Sequence, residues 1–252
     1  MRLKNKIAIV TGAGSGFGAG IAKRFAEEGA QVIVNDIDPA GGERVTAEIK
    51  QAGGNARFFK ADVSKDAEVA ALVNAALQEY GGLHIIVNNA GWTHRNQPLL
   101  DVSEDQFDKL YAVNVKPLYL TAKHAVPHFR KQGGGVFVNI ASTAGVRPRP
   151  GLTWYNGSKG AAIVTSRSMA AELGPDKIRV CIINPVIGET GLLEQFMGLP
   201  DTPENRKKFI ATIPMGRMST PLDIANTALF LASDEAAFLS GTCVEVDGAR
   251  CV

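Results

Sequence analysis

Short runs of aliphatic and β-branched residues alternate along the chain with longer stretches whose apolar positions recur at helical spacing. The runs are KIAIVT (6–11), QVIVND (31–36), ARFFKADV (56–63), LHIIVNNAG (83–91), GGVFVNIAS (134–142), KIRVCIIN (177–184) and TCVEVDG (242–248). The first is apolar apart from its ends, as a strand buried on both faces requires. Between the runs the pattern predicts helices over 18–29, 39–52, 66–80, 103–131, 152–173 and 221–232. Gly29, Gly53–Gly54 and Gly81–Gly82 stop the first three, and Ser103 and Thr220 open two others. Strand and helix alternate from end to end. That order predicts one α/β domain over 1–252: a doubly wound, mostly parallel seven-stranded sheet with helices on both faces, Rossmann-like. The stretch 186–215 is the least regular and is expected to be a mobile lid.

Composition narrows the partners. The chain has 252 residues, a net charge of +2 and no basic block, so nothing electrostatic points to nucleic acid or an anionic membrane. Cys181, Cys243 and Cys251 are an odd set without metal-ligand spacing, which argues against a disulfide framework or a zinc site and fits a reducing cytoplasm. The apolar run near Met1 is too short for an export segment.

Two constellations carry chemistry. The first strand leads into Thr11-Gly12-Ala13-Gly14-Ser15-Gly16-Phe17-Gly18 and then a helix. A turn with few side chains lets backbone N–H groups approach a pyrophosphate, and the helix N-terminus adds partial positive charge. Asp36 closes the second strand, placed to bind ribose hydroxyls and to repel a 2′-phosphate. No Lys or Arg lies at Ala13–Ser15 or at Ile37–Asp38 to offset it, which favours NAD(H) over NADP(H).

The second constellation is Tyr155 and Lys159, which share a helix face at i,i+4. A tyrosine titrates near ~10 when free. A cation about 5 Å away, at an effective dielectric of about 20, favours the phenolate by roughly 3 kcal/mol. Such a phenol can exchange a proton with an alcohol near neutrality. Alone, the pair equally fits an exposed helix face. Ser142 at the end of the fifth strand adds a hydroxyl able to orient a substrate oxygen toward Tyr155, although it also fits a loop or N-cap serine with Thr143 beside it.

With these motifs in order, the chain resembles the short-chain dehydrogenase/reductase family, in the subgroup with TGxxxGxG and YxxxK, over about residues 6–248. The resemblance implies a hydride transfer between NAD(H) and a secondary alcohol or ketone, without a metal. In it Tyr155 is the general acid/base, Lys159 binds the nicotinamide ribose and lowers the tyrosine pKa, Ser142 positions the substrate oxygen, and Asn114 holds a relay water. It places Gly12, Ser15, Gly16, Phe17, Gly18, Asp36, Ile37, Asp62, Val63, Asn89, Gly91 and Thr190 around the cofactor together with Tyr155 and Lys159, and gives Asn88–Gly91 a part in steadying the sheet. It also implies a homotetramer built on the helices at 103–131 and 152–173 and on the last strand. Two positions depart from the family: Val186 stands where glycine is common, and Phe17 where a smaller aliphatic is usual.

Other features are expected to be ordinary. Trp154, Leu192, Leu193, Phe196 and Met197 suit either a pocket lid or helix packing. Arg147 and Arg149 are expected as solvated loop arginines rather than a grip on an anionic substrate, and His84, His94, His124 and His128 as non-ligands. Two alternatives stand beside the dehydrogenase: a 3-oxoacyl thioester reductase, disfavoured by Asp36, and a non-catalytic dinucleotide-binding sensor, disfavoured by the complete Asn114, Ser142, Tyr155 and Lys159 set.

Overall fold

The computed structural model describes residues 1–252. In chain order the strands are β1 (Ile7–Val10), β2 (Gln31–Asp36), β3 (Asn55–Lys60), β4 (Ile85–Asn88), β5 (Gly135–Ile140), β6 (Ile178–Pro185) and β7 (Cys243–Val246). The helices are α1 (Gly16–Glu27), α2 (Pro39–Gln51), α3 (Asp66–Tyr80), α4 (Glu104–Asn114), α5 (Lys116–Gln132), α6 (Thr153–Leu173), α7 (Leu193–Met197), α8 (Pro203–Ile210) and α9 (Pro221–Ala232). The sheet runs β3-β2-β1-β4-β5-β6-β7, and every pairing in it is parallel. Order reverses between β1 and β4, so the loops after those two strands diverge and leave a crevice at the carboxyl edge.

The pleat divides the core in two. Ala8, Val10, Val32 and Val34 face α1, α2 and α9. Ile7, Ile9, Ile33 and Phe137 face α3, α5 and α6. A strand covered on both faces has no polar side to offer, which is why its sequence does not alternate.

The expected strands end sooner than their apolar runs. β3 stops at Lys60, β4 at Asn88 and β5 at Ile140, and the last residues of each run become loop. Those trailing residues carry Asp62, Asn89 and Ser142 to the crevice. The helix expected over 103–131 is two helices. Pro117 has no N–H to offer Val113, and its ring crowds the preceding turn. The backbone breaks at Val115 (φ −117°), and the Leu118 N–H goes to Val115 O at 3.1 Å instead of to Asn114 O. The irregular stretch holds α7 and α8 and folds back over the crevice.

Candidate active site

A cavity of about 620 Å³ fills the crevice. At one end lies the glycine turn. Thr11 is buried; its hydroxyl donates to Val87 O (3.2 Å) and accepts from the amides of Asn89 (3.0 Å) and Ala90 (3.1 Å). The Asn89 side-chain amide donates to Thr11 O (2.8 Å) and Gly12 O (3.0 Å), lacing the turn to the end of β4. A Cβ on Gly12 would stand 2.8 Å from Ala90 Cα. One on Gly18 would strike the Gly12 carbonyl and the Asn89 amide. Gly18 therefore lies beneath the turn and does not line the cavity; close packing, rather than the cofactor contact expected of it, demands the glycine.

Ser15, the N-cap of α1, makes no side-chain cap bond. The first amides of α1 thus keep their donors, and the positive end of the helix meets the cavity at Ser15, Gly16 and Phe17. Asp36 accepts from Gly14 N (2.8 Å) and Asp38 N (3.0 Å) and lines the cavity with Ile37. Asp62 takes the Ser64 amide (2.9 Å) and hydroxyl (2.7 Å) on one oxygen, and it too lines the cavity, beside Val63. Arg44 escapes a reading of the sequence. It reaches back across the turn, donating to Gly14 O (2.8 Å) and Glu48 Oε1 (2.8 Å), and does not line the cavity. This end accordingly fits a dinucleotide: a cradle closed to any Cβ, open helix amides and a carboxylate at ribose height.

At the other end α6 presents Tyr155 and Lys159, both buried. Lys159 Nζ donates to Ile140 O (3.0 Å) and stands 5.9 Å from the Tyr155 ring centroid. Burial pulls the ammonium down to about 8. Burial also pushes the Tyr155 phenol up to about 12, against smaller pulls from the Ser142 hydroxyl and the Arg149 guanidinium. Lys159 is not among the groups that pull on the phenol here: its ammonium is drawn to the Ile140 carbonyl, and desolvation dominates both groups. Ser142 caps the turn after β5, accepting from Ala144 N at 3.1 Å, and lines the cavity with Thr143. Gly91 lines the cavity beside them.

Asn114 stands behind this wall rather than in it. Its side chain accepts from Trp92 N (2.8 Å) and donates to Trp92 O (2.9 Å) and Ser158 Oγ (3.0 Å). Both donors of its side-chain amide are committed, and the Asn114 backbone carbonyl, left by Leu118 at the helix break, has no backbone partner.

Several expectations about the cavity change. Trp154 turns outward, donating to Leu99 O (3.1 Å) and packing edge-on against Phe107; Trp92 lines the cavity instead. Leu192 and Phe196 line it, whereas Leu193 and Met197 are buried in a cluster with Met218. Thr190 lines it and lies over the turn: a Cβ on Gly16 would stand 3.3 Å from its methyl. Phe17 contributes its ring, which fills the space a Cβ on Gly188 would need. Val186 is buried in the wall. Arg149, expected in solvent, is half-buried in the cavity wall; Arg147 borders the cavity too but stays exposed, as expected. His94 is buried away from it, and His124 pairs with Asp66 (2.8 Å).

Known proteins share this architecture along its whole length. The family model described as enoyl-(acyl carrier protein) reductase matches residues 12–249. A 4-formylbenzenesulfonate dehydrogenase of Comamonas testosteroni is 52% identical over 250 residues, covering 99% of each chain. The crystal structure of a 3-ketoacyl-(acyl-carrier-protein) reductase from Brucella melitensis complexed with NADH superposes with a TM-score of 0.93 at 46% identity, over 99% of this chain and 100% of that one. A 7α-hydroxysteroid dehydrogenase complexed with NADH and 7-oxo glycochenodeoxycholic acid gives a TM-score of 0.92 at 38% identity, over 98% of this chain and 95% of that one. The glycine turn laced to β4, the Tyr155–Lys159 face and this likeness agree: the chain is an oxidoreductase of the short-chain dehydrogenase/reductase family.

Proposed function

We propose that the protein is an NAD(H)-dependent oxidoreductase that interconverts a small secondary alcohol and its ketone, with Tyr155 as general acid/base. One observation carries this reading. Tyr155, Lys159 and Ser142 line the same cavity as the glycine turn and Asp36, so a proton donor and a dinucleotide cradle open onto one space.

The residues divide the work. The amides at Ser15–Phe17 would hold the pyrophosphate and Asp36 the adenosine ribose, with Asp62 and Val63 toward the adenine and Gly91 and Thr190 toward the nicotinamide half. The nicotinamide, when bound, would supply or accept the hydride. Ser142 orients the substrate oxygen. In reduction Tyr155, a full phenol at neutral pH, gives its proton to the forming alkoxide, which is far more basic. In oxidation the phenolate takes the alcohol proton, and the Lys159 ammonium stabilises it. Asn114 fixes the backbone at Trp92 and the start of α6, and its carbonyl links Lys159 to solvent through water. NAD(H) is preferred because Asp36 repels a 2′-phosphate and the guanidinium that reaches the turn, Arg44, is held by Gly14 O and Glu48 outside the cavity lining. The segment 186–215 acts as a lid that opens to admit substrate.

Tyr155→Phe tests the assignment: NADH binding, followed by fluorescence, is retained while turnover of a ketone and alcohol panel falls at least a hundredfold. Turnover that survives the change overturns the role of Tyr155. Retained binding without turnover in the parent protein would favour the sensor. Preference for 3-oxoacyl thioesters with NADPH would favour the reductase suggested by the Brucella relative. The exposed Tyr119 and Val164, on α5 and α6, suit the helix faces of a homotetramer, and three unpaired cysteines suit the cytoplasm. No helix is long and apolar enough to cross a membrane.

A further inference from the structure

The charged residues that line the cavity are sorted by sign. Its only acids, Asp36 and Asp62, stand at the glycine-turn end. The rest of the lining carries Lys109, Arg147, Arg149, Lys159 and Arg250 and no acid. No carboxylate comes within 4.0 Å of the guanidinium of Arg147, Arg149 or Arg250. Asp247, nearest in sequence to Arg250, gives its oxygens to the amides of Ala249 (3.0 Å) and Cys251 (2.8 Å).

Arg149 is the most enclosed of these guanidiniums. Its Nη2 donates to Phe196 O at 2.9 Å, and the group lies 5.3 Å from the centroid of the Phe209 ring. Its own carbonyl accepts from Asn156 Nδ2 at 2.9 Å, which anchors the loop to the first turn of α6, beside Tyr155. Burial depresses its pKa, so its charge is poorly solvated, and that charge is felt at the Tyr155 phenol. A guanidinium has five N–H donors in a fixed fork, and one backbone acceptor leaves most of them unused. Phe196 and Phe209 lie against it, and Trp92 and Leu152 add apolar surface to the same cavity.

We propose that the substrate carries an oxyanion, a carboxylate or sulfonate on a flat apolar body, and that Arg149 binds this group while the reacting oxygen meets Tyr155 and Ser142. The inference rests on the oxidoreductase reading for the position of the reacting carbon. Two oxygens of either oxyanion can accept two parallel N–H bonds from the guanidinium fork, and the apolar walls take the body between the two ends. The charge of the ligand supplies the counter-ion that the protein does not.

The test compares isosteric pairs that differ only in charge: 4-acetylbenzoate with 4-acetylbenzamide, and 3-acetylbenzoate with 3-acetylbenzamide, each reduced with NADH. The ratio of kcat/KM for acid over amide is the readout. The parent protein favours the acid by about tenfold to a hundredfold, the worth of one or two charge-assisted hydrogen bonds. In Arg149→Leu that ratio collapses toward one, chiefly through KM, and Arg149→Lys restores part of it. A parent ratio at or below one, or a ratio unchanged in Arg149→Leu, overturns the proposal. Calorimetry of the same compounds on the protein–NADH complex separates the two readings. Acids that bind through Arg149 without turnover support the anion site and count against the reaction; amides reduced as well as acids support the reaction and overturn the site. Failure of both acids, and of 4-acetylbenzenesulfonate, to bind the complex also overturns it.

Discussion

Lys159 is positioned at a cost to the fold that can be measured. The ammonium is 5% exposed, donates only to Ile140 O and has no carboxylate partner. Burial takes it from the ordinary 10.5 to about 8. At about 1.36 kcal/mol per pH unit, that displacement makes the charged form destabilise the folded state by on the order of 3 kcal/mol. The sign follows from linkage. A lysine whose folded pKa lies below its unfolded value costs its full penalty below about 8, and the penalty fades as pH rises toward the unfolded value. Lys159→Met removes the charge and keeps most of the side-chain volume. It also deprives Ile140 O of a donor, a loss of about 1 kcal/mol. The variant is therefore more stable by about 2 kcal/mol near neutral pH, which for a chain of this size is a rise of roughly 4–8 °C in melting temperature. The gain shrinks as pH approaches 10, while turnover is lost at every pH. Thermal melts of both proteins by circular dichroism across that range, without nucleotide, make the comparison. A variant that melts below the parent near neutrality, or a gap that does not change with pH, refutes the claim that the fold sustains a desolvated ammonium here.

Three further outcomes follow from the same site. Gly18→Ala forces the Gly12 carbonyl and Asn89 amide apart, costing about 2–4 kcal/mol by chemical denaturation and weakening NADH binding; a fully stable variant that binds NADH normally would show that the turn has slack. Asp36→Ala removes the acceptor of Gly14 N and the charge at the ribose, so NADH binding falls about tenfold or more and the discrimination against NADPH narrows; an unchanged preference in paired titrations removes Asp36 as the reader. Because burial holds the Tyr155 phenol high, alcohol oxidation accelerates as pH rises from about 6 toward 8, while Lys159 keeps its charge, whereas ketone reduction, which uses the protonated phenol, does not; a pH–rate profile for oxidation that peaks below neutrality contradicts this.

What the sequence discloses follows how each part of the site is built. The glycine turn, Asp36, Asp62 and Asn89 each lie at the end of a strand or just beyond it, and a buried parallel strand announces itself by its uninterrupted apolar run. Tyr155 and Lys159 are local to one helix, so their spacing is enough to pair them. The break at Val115 was also within reach of the sequence, since Pro117 marks it, but the helical period continues on both sides and hides it. Gly18 shows a different limit: the motif names the residue, while only the backbone beneath it reveals that the residue serves packing.

The substrate end has no such local grammar. Its wall joins Trp92, the segment from Arg147 to Leu152, Ile187 to Thr212, and Arg250, pieces that meet only once the sheet order places β4, β5, β6 and β7 side by side. A charged residue in such a piece reads as solvated, because solvent is where most loop arginines lie. Arg149 differs in what the fold puts around it: Phe196 and Phe209 from the lid, Asn156 from α6, and no acid. Desolvation without a counter-ion is a property of that assembly, and no window of sequence contains it. The reaction is thus written in the strand ends and one helix, whereas the choice of substrate is written in loops that diverge at the carboxyl edge. Members of one fold can therefore keep the chemistry while exchanging what they act upon.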